Sequence, residues 1–271
     1  MTATAQTNEP ISLPSLRSSR IIVTGGARGL GGSAARILAQ QGAKIVIFDI
    51  KDDLGKALAK DLSVQFSTTV SYLHVDVSKK ADVTQAVNQA VKILGGLDSL
   101  FHSAGMSELP APTEDIPEEV WDLTLNVNLK GTVFLNQAVF PYLKENGGNI
   151  LNVGSDAGMD PSPMLSTYAS TKAAVHCFTK ICAKEWGKYN IRVNALLPIV
   201  YTPMTEEYRN ALGPEVWKVA EEHFRAGILL GERFGDADTD IAPFVAFLMS
   251  DGSRYMTGQL IPVNGGAGMV R

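Results

Sequence analysis

Residues 21–31 run Ile21-Ile22-Val23-Thr24-Gly25-Gly26-Ala27-Arg28-Gly29-Leu30-Gly31, and helical period follows to about Gln41. An apolar strand, a glycine-rich turn and a helix, in that order, make a cradle for a pyrophosphate. Gly25, Gly29 and Gly31 remove side chains where backbone must approach the anion, and the helix N-terminus faces it. Glycine-rich turns serve many ends, so this one needs independent support. Asp49 supplies it. It follows the next apolar run, Lys44-Ile45-Val46-Ile47-Phe48, and stands 18 residues past Gly31, where an acid binds the ribose 2′-hydroxyl of a dinucleotide. A carboxylate there repels a 2′-phosphate and favours NAD over NADP. Arg28 argues weakly the other way, because a guanidinium suits an extra phosphate. Asp76, after the third apolar run, is placed either to accept from an adenine amino group or to cap the helix that starts near Ser78.

Outward from this cradle, strand-length apolar runs alternate with longer segments of helical period. Strands are expected at 21–23, 44–48, 70–75, 97–102, 148–153, 192–196 and 259–263. Helices are expected at 31–41, 51–62, 80–94, 118–143, 166–188 and 238–249. Runs nearly continuous in Val, Ile and Leu belong to strands buried on both faces, hence to a parallel sheet under helices. The predicted fold is α/β: one Rossmann-type, doubly wound, seven-stranded parallel sheet in a single domain over 20–271. Residues 1–19, polar and broken by Pro10 and Pro14, are expected to be a flexible arm. Residues 201–235 break the rhythm, being helical in composition without a partner strand. An insertion there suits a cover over the strand ends.

Bulk properties exclude several classes. A net charge of −4 over 271 residues gives no reason to expect nucleic acid. No apolar run reaches the roughly 20 residues needed to cross a bilayer, so no membrane partner is expected. Cys177 and Cys182, five apart on a helix, point in different directions and suit a reduced compartment, the cytoplasm. The four histidines lack metal-ligand spacing, and no metal is expected.

Tyr168-Ala169-Ser170-Thr171-Lys172 carries the chemistry. Four residues are about one helical turn, so the phenol and the ammonium share a face. A free phenol has a pKa of about 10 and is a poor base near neutrality. A nearby ammonium favours the phenolate and lowers that pKa. The pair is then able to exchange a proton with a substrate hydroxyl or carbonyl, while Ser155, thirteen residues upstream, holds the reacting oxygen. Taken alone, a Tyr and a Lys one turn apart are ordinary surface residues. Their company decides otherwise.

With those residues placed, the chain resembles the short-chain dehydrogenase/reductase family from Arg20 to about Gly266. The matching motifs are Thr24-Gly25-x-x-x-Gly29-x-Gly31, Asp76-Val77, Asn126-Val127-Asn128-Leu129-Lys130-Gly131, Ser155, Tyr168-x-x-x-Lys172, Arg192-Val193-Asn194 and Thr257-Gly258. The resemblance implies Tyr168 as acid/base, Ser155 as the orienting hydroxyl, Lys172 as phenol activator and ribose ligand, and Asn128 as holder of a relay water. It implies further NAD contacts from Ala27, Leu30, Ile50, Val77, Ser103, Ala104, Gly105, Pro198, Val200 and Thr202. It also implies a homotetramer or homodimer, through the helices at 118–143 and 166–188 and the C-terminal segment. Three positions depart from the pattern. His102-Ser103 stands where the family has Asn-Asn, Ile199 where it usually has Gly, and Asn264 where Asp is common.

The expected activity is hydride transfer between NAD(H) and a secondary alcohol or ketone. Met106, Asp156, Met159 and Met204, with Met164, Ile199 and the 217–230 stretch, are the expected substrate walls, and their methionine and aliphatic character suggests an apolar, cyclic substrate. The rival enzyme is an NADP-dependent 3-oxoacyl-thioester ketoreductase, which usually has a basic residue near Asp49-Ile50. An enoyl reductase spaces Tyr and Lys differently. A catalytically silent dinucleotide sensor is the rival of another class, and it usually lacks Tyr or Lys.

Overall fold

The computed structural model describes residues 15–268 and forms one seven-stranded sheet, every pairing parallel, in the order β3-β2-β1-β4-β5-β6-β7. The strands are β1 Arg20–Thr24, β2 Lys44–Asp49, β3 Val70–His74, β4 Ser99–His102, β5 Gly148–Val153, β6 Ile191–Pro198 and β7 Leu260–Val263. The chain winds outward from β1 to β3, returns to lay β4 beside β1, then winds the other way. Crossovers diverge between β1 and β4, opening a crevice at their C-terminal ends.

Residue alternation along the strands splits the core in two. Ile21, Val23, Ile45, Ile47, Phe101 and Leu196 face α1 (Gly29–Gln40), α2 (Asp52–Phe66) and the last helix. Ile22, Val46, Phe48, Leu100, Ile150 and Val193 face α3 (Lys80–Leu94) and the helices between β4 and β6. The inner strands β1, β2, β4, β5 and β6 are buried on both faces, whereas the edge strands β3 and β7 are largely half-buried.

One expected helix, 118–143, is three pieces. It runs as α4 (Glu118–Thr124), a π-helical turn (Leu125–Lys130) and α5 (Gly131–Leu143). After β5 comes α6 (Ser166–Trp186), which carries Cys177 exposed and Cys182 buried, both free thiols. The insertion after β6 is a closed excursion. Val200 pairs with Gly235 at its base, and α7 (Pro203–Ala226) fills it, broken where Gly213 takes φ +75 ahead of Pro214. α8 (Ala242–Met249) completes the first layer.

Residues 1–14 of the expected arm lie outside the described residues. The packed chain begins before Arg20: Leu16 is buried in the core, Ser18 N donates to Gly42 O at 3.0 Å, and Lys44 N to Ser19 O at 2.8 Å. Among the described residues no helix is long and apolar enough to cross a membrane.

Candidate active site

A cleft of about 890 Å³ opens over the C-terminal ends of the strands, and both ends of the expected site line it. At one end lies the glycine turn. Gly25 and Gly29 take φ of +61 and +56, backbone that side chains rarely adopt. A Cβ on Gly25 would stand 2.8 Å from Ala104 Cα, and one on Gly31 would stand 2.2 Å from Gly25 O. The turn is therefore too tight for side chains. α1 starts at Gly29 with no side-chain cap and no acid in its first turn, so its first N–H groups are available to an anion.

Asp49 sits at the tip of β2 with each oxygen anchored. Oδ2 accepts from Ala27 N and Oδ1 from Lys51 N, both at 3.0 Å. Lone pairs remain on both oxygens for ribose hydroxyls. Arg28 does not reach for a phosphate here; its guanidinium donates to Glu207 Oε1 on α7 at 2.7 Å. Asp76 behaves as a turn cap. Its Oδ1 accepts from Ser78 N at 3.0 Å and Ser78 Oγ at 2.6 Å, and Lys79 Nζ lies 3.2 Å from Oδ2. Burial pushes that carboxyl up, but the Ser78 and Lys79 donors outweigh it and the net shift is downward. Leu30, Ile50, Val77, Ser103, Ala104, Gly105, Pro198, Val200 and Thr202 all line the same cleft. An uncapped helix start, a side-chain-free turn and an acid at the β2 tip fit a dinucleotide.

The catalytic end is built from three elements. Ser155 follows β5 and begins a short 3₁₀ turn, its Oγ accepting from Ala157 N at 3.2 Å. Its own N–H donates to Nε2 of buried His176 at 3.3 Å. Tyr168 and Lys172 lie one turn apart on α6, with Nζ 5.5 Å from the ring centroid. Lys172 is buried, donates to Val153 O at 2.8 Å, and burial lowers its pKa to about 8.

The expected lowering of the Tyr168 pKa is corrected for the chain as it stands. Burial dominates and raises it. The Ser155 hydroxyl pulls the other way, and the charges of Glu108 and Asp156 add to the rise. Desolvation of the phenol is the largest of these causes.

Asn128 lies in the π-helical turn, fully buried. Its Oδ1 accepts from Met106 N at 2.9 Å, and its Nδ2 donates to Met106 O at 2.8 Å and Thr171 Oγ1 at 3.1 Å. The amide thus clamps the loop after β4 to α6. The departure at His102 has a clear role. Its Nδ1 meets Thr24 Oγ1 at 2.7 Å and its Nε2 meets Thr132 Oγ1 at 2.9 Å, and burial first, then the Lys172 charge, lowers its pKa to about 3. Thr132 spends its only hydroxyl proton on Asn128 O at 2.5 Å, so Nε2 carries the ring proton and Nδ1 accepts from Thr24. One bond path therefore joins the glycine strand to the Asn128 carbonyl.

Met106, Asp156, Ile199 and Met204 line the substrate side, with Trp217 and Phe224 from α7. Met159 and Met164 are corrections: both are exposed and stand outside the cleft lining. Gly158 is pressed on α6, where a Cβ would lie 2.7 Å from Ala173 N, and the chain turns the next side chain to solvent. Leu229 and Leu230, at 65% and 74% exposure, also stay outside. Sequence reasoning missed Glu108, buried beneath α6. Its carboxylate accepts from Thr167 N at 3.0 Å and Tyr168 N at 3.1 Å, capping the helix that carries the phenol. The visible signal was an acid three residues past Gly105, with nothing local to mark its partner. His176 was equally unmarked, and Asn264 was marked only as a departure from the family pattern, with no partner assigned.

A family model described as "Enoyl-(Acyl carrier protein) reductase" matches residues 25–268. The chain is 35% identical over 252 residues to trans-4-hydroxycyclohexanecarboxylate dehydrogenase of Sinomonas cyclohexanicum, covering 90% of this chain and 91% of that one. It is 38% identical over 247 residues to the 3-oxoacyl-[acyl-carrier-protein] reductase FabG of Chlamydia trachomatis, covering 90% and 95%. The crystal structure of levodione reductase superposes with a TM-score of 0.87 at 32% identity, covering 93% of this chain and 98% of that chain. With the glycine turn, the serine and the tyrosine–lysine pair gathered on one parallel sheet, and likeness running along nearly the whole chain, the protein belongs to the short-chain dehydrogenase/reductase family of oxidoreductases.

Proposed function

We propose that this protein is an NAD(H)-dependent oxidoreductase that interconverts a secondary alcohol and its ketone on an apolar, cyclic substrate. The observation that carries the reading is the convergence of Ser155, Tyr168 and Lys172 on the same cleft as the glycine turn and Asp49. The bound nicotinamide would accept or return the hydride. Ser155 Oγ holds the substrate oxygen, and the Tyr168 hydroxyl takes or gives its proton. Lys172, charged below about pH 8, supplies the positive field and a ribose contact. Asn128 holds the loop and the π-helical turn through which a relay water would reach Lys172. Gly25, Ala27, Arg28, Gly29, Leu30, Asp49, Ile50, Asp76 and Val77 form the proposed adenosine and phosphate end. Ser103, Ala104, Gly105, Pro198, Val200 and Thr202 form the nicotinamide end. NAD is favoured by the Asp49 carboxylate and by the engagement of Arg28 with Glu207.

The competing reading is an NADP-dependent 3-oxoacyl-thioester ketoreductase, supported by the 38% identical FabG. Asp49 weighs against it. The family model's description names an enoyl reductase, whose Tyr and Lys spacing differs from Tyr168-x-x-x-Lys172. A cytoplasmic homotetramer or homodimer, assembled through α5 and α6, completes the proposal.

Reduction of NAD, followed by absorbance over a panel of cyclic secondary alcohols, is the test. Tyr168→Phe should lower turnover by about 10²–10⁴-fold while NADH binding, read by fluorescence, persists. A Phe variant that keeps most of its rate rules the assignment out.

A further inference from the structure

We propose that Asp156 selects cyclic alcohols bearing a second hydroxyl and rejects ring substrates bearing a carboxylate. This rests on the oxidoreductase reading above. Asp156 directly follows Ser155, lines the substrate side of the cleft, and lies near enough to Tyr168 for its charge to act on the phenol. It is half-buried and held in place. Asn264 Nδ2 donates to Asp156 Oδ2 at 2.7 Å and to Gly268 O at 2.9 Å, while Asn264 Oδ1 accepts from Gly266 N at 3.0 Å. Both N–H donors of the Asn264 amide are used by this arrangement.

Asn264 is one of the three departures from the family pattern, at a place where Asp is common. An acid there would face Asp156 with no donor between the two carboxylates. The amide turns that repulsion into a hydrogen bond, so the two residues form a matched pair. Among the described residues no side-chain donor meets Asp156 Oδ1. An ionised carboxylate is acceptor-only, and this oxygen stays open to the cleft for an incoming donor. A substrate hydroxyl supplies one.

Charge on this side of the cleft points the same way. The other titratable groups lining it are Asp160, Tyr168, Tyr208, His223 and Lys172, whose ammonium donates to Val153 O. Among the described residues the one arginine lining the cleft, Arg28, lies at the phosphate end and is paired with Glu207. The remaining walls, Met106, Met204, Trp217 and Phe224, are apolar and suit a ring. The substrate named for the 35% identical relative is a hydroxylated cyclohexane with a carboxylate. That group would meet like charge at Asp156.

The test compares kcat/KM of the full chain with NAD for cyclohexane-1,4-diol and for trans-4-hydroxycyclohexanecarboxylate. The diol should lead by roughly tenfold or more, and Asp156→Asn should cut the ratio by roughly tenfold. A ratio cancels any general loss of activity in the variant. A starting ratio of one or below, or a ratio unchanged in Asp156→Asn, overturns the proposal. Should neither ring be oxidised, the oxidoreductase reading is judged on the wider panel of cyclic alcohols. The same ratio is then taken from calorimetric binding to the NAD-loaded protein, where equal affinities overturn the selectivity and a diol preference sustains it.

Discussion

The proposed cofactor preference turns on single residues. Asp49 accepts from Ala27 N and Lys51 N at the tip of β2, so a 2′-phosphate would meet both a carboxylate and a disturbed turn. Asp49→Ala should narrow the gap between NAD and NADP by about 1–2 kcal/mol in kcat/KM, roughly tenfold, measured as paired initial rates with the two cofactors. Equal use of both by the unaltered chain would count against the role given to Asp49. The motif residues were legible because each lies at a fixed spacing along the chain. The state of the phenol was not. The Tyr168 pKa depends on how deeply the ring is buried, and a spacing of four says nothing about solvent.

Elements explain what the periodicity hid. Apolar spacing runs unbroken through 118–143, so the segment reads as one helix, yet Leu125–Lys130 widens into a π-helical turn. Such turns depend on backbone bonding that side-chain pattern does not encode. α6 poses the opposite case: its own N-terminus, at Leu165, carries no side-chain cap. Glu108 supplies one from the loop after β4, as a charge-assisted bond to backbone N–H groups. Glu108→Ala should cost about 1–3 kcal/mol of stability in a denaturant melt and lower kcat, because the first turn it frees contains Tyr168. Unchanged stability and kcat would show the cap to be idle. The strand count and the long buried runs were legible because a doubly wound parallel sheet demands continuous hydrophobicity. The trans-cap was hidden because its partners are far apart in sequence.

The whole molecule carries two buried imidazoles that stay neutral. Burial lowers His102 to about 3 and His176 to about 4, against an ordinary value near 6.5. Unfolding exposes both, and the unfolded chain binds protons below pH 6.5 that the folded chain refuses. Their contribution to stability is thus complete above about pH 6.5 and declines as pH falls toward 4 and then 3, by about 1.4 kcal/mol per pH unit for each ring. Denaturant midpoints between pH 7 and 4 should fall accordingly. His102→Asn should flatten the decline; an equally steep profile would remove His102 as its source.

The position of α7 has a thermodynamic corollary. Glu207 ties it to Arg28 at the phosphate end, and Tyr208 donates to Glu108 O at 2.6 Å beside the phenol. Neighbouring side chains on one helical segment thus answer to both halves of the cleft. A molecule that settles the segment from one end spares its counterpart part of the ordering entropy at the other. By reciprocity, each then tightens the other's hold by the same factor.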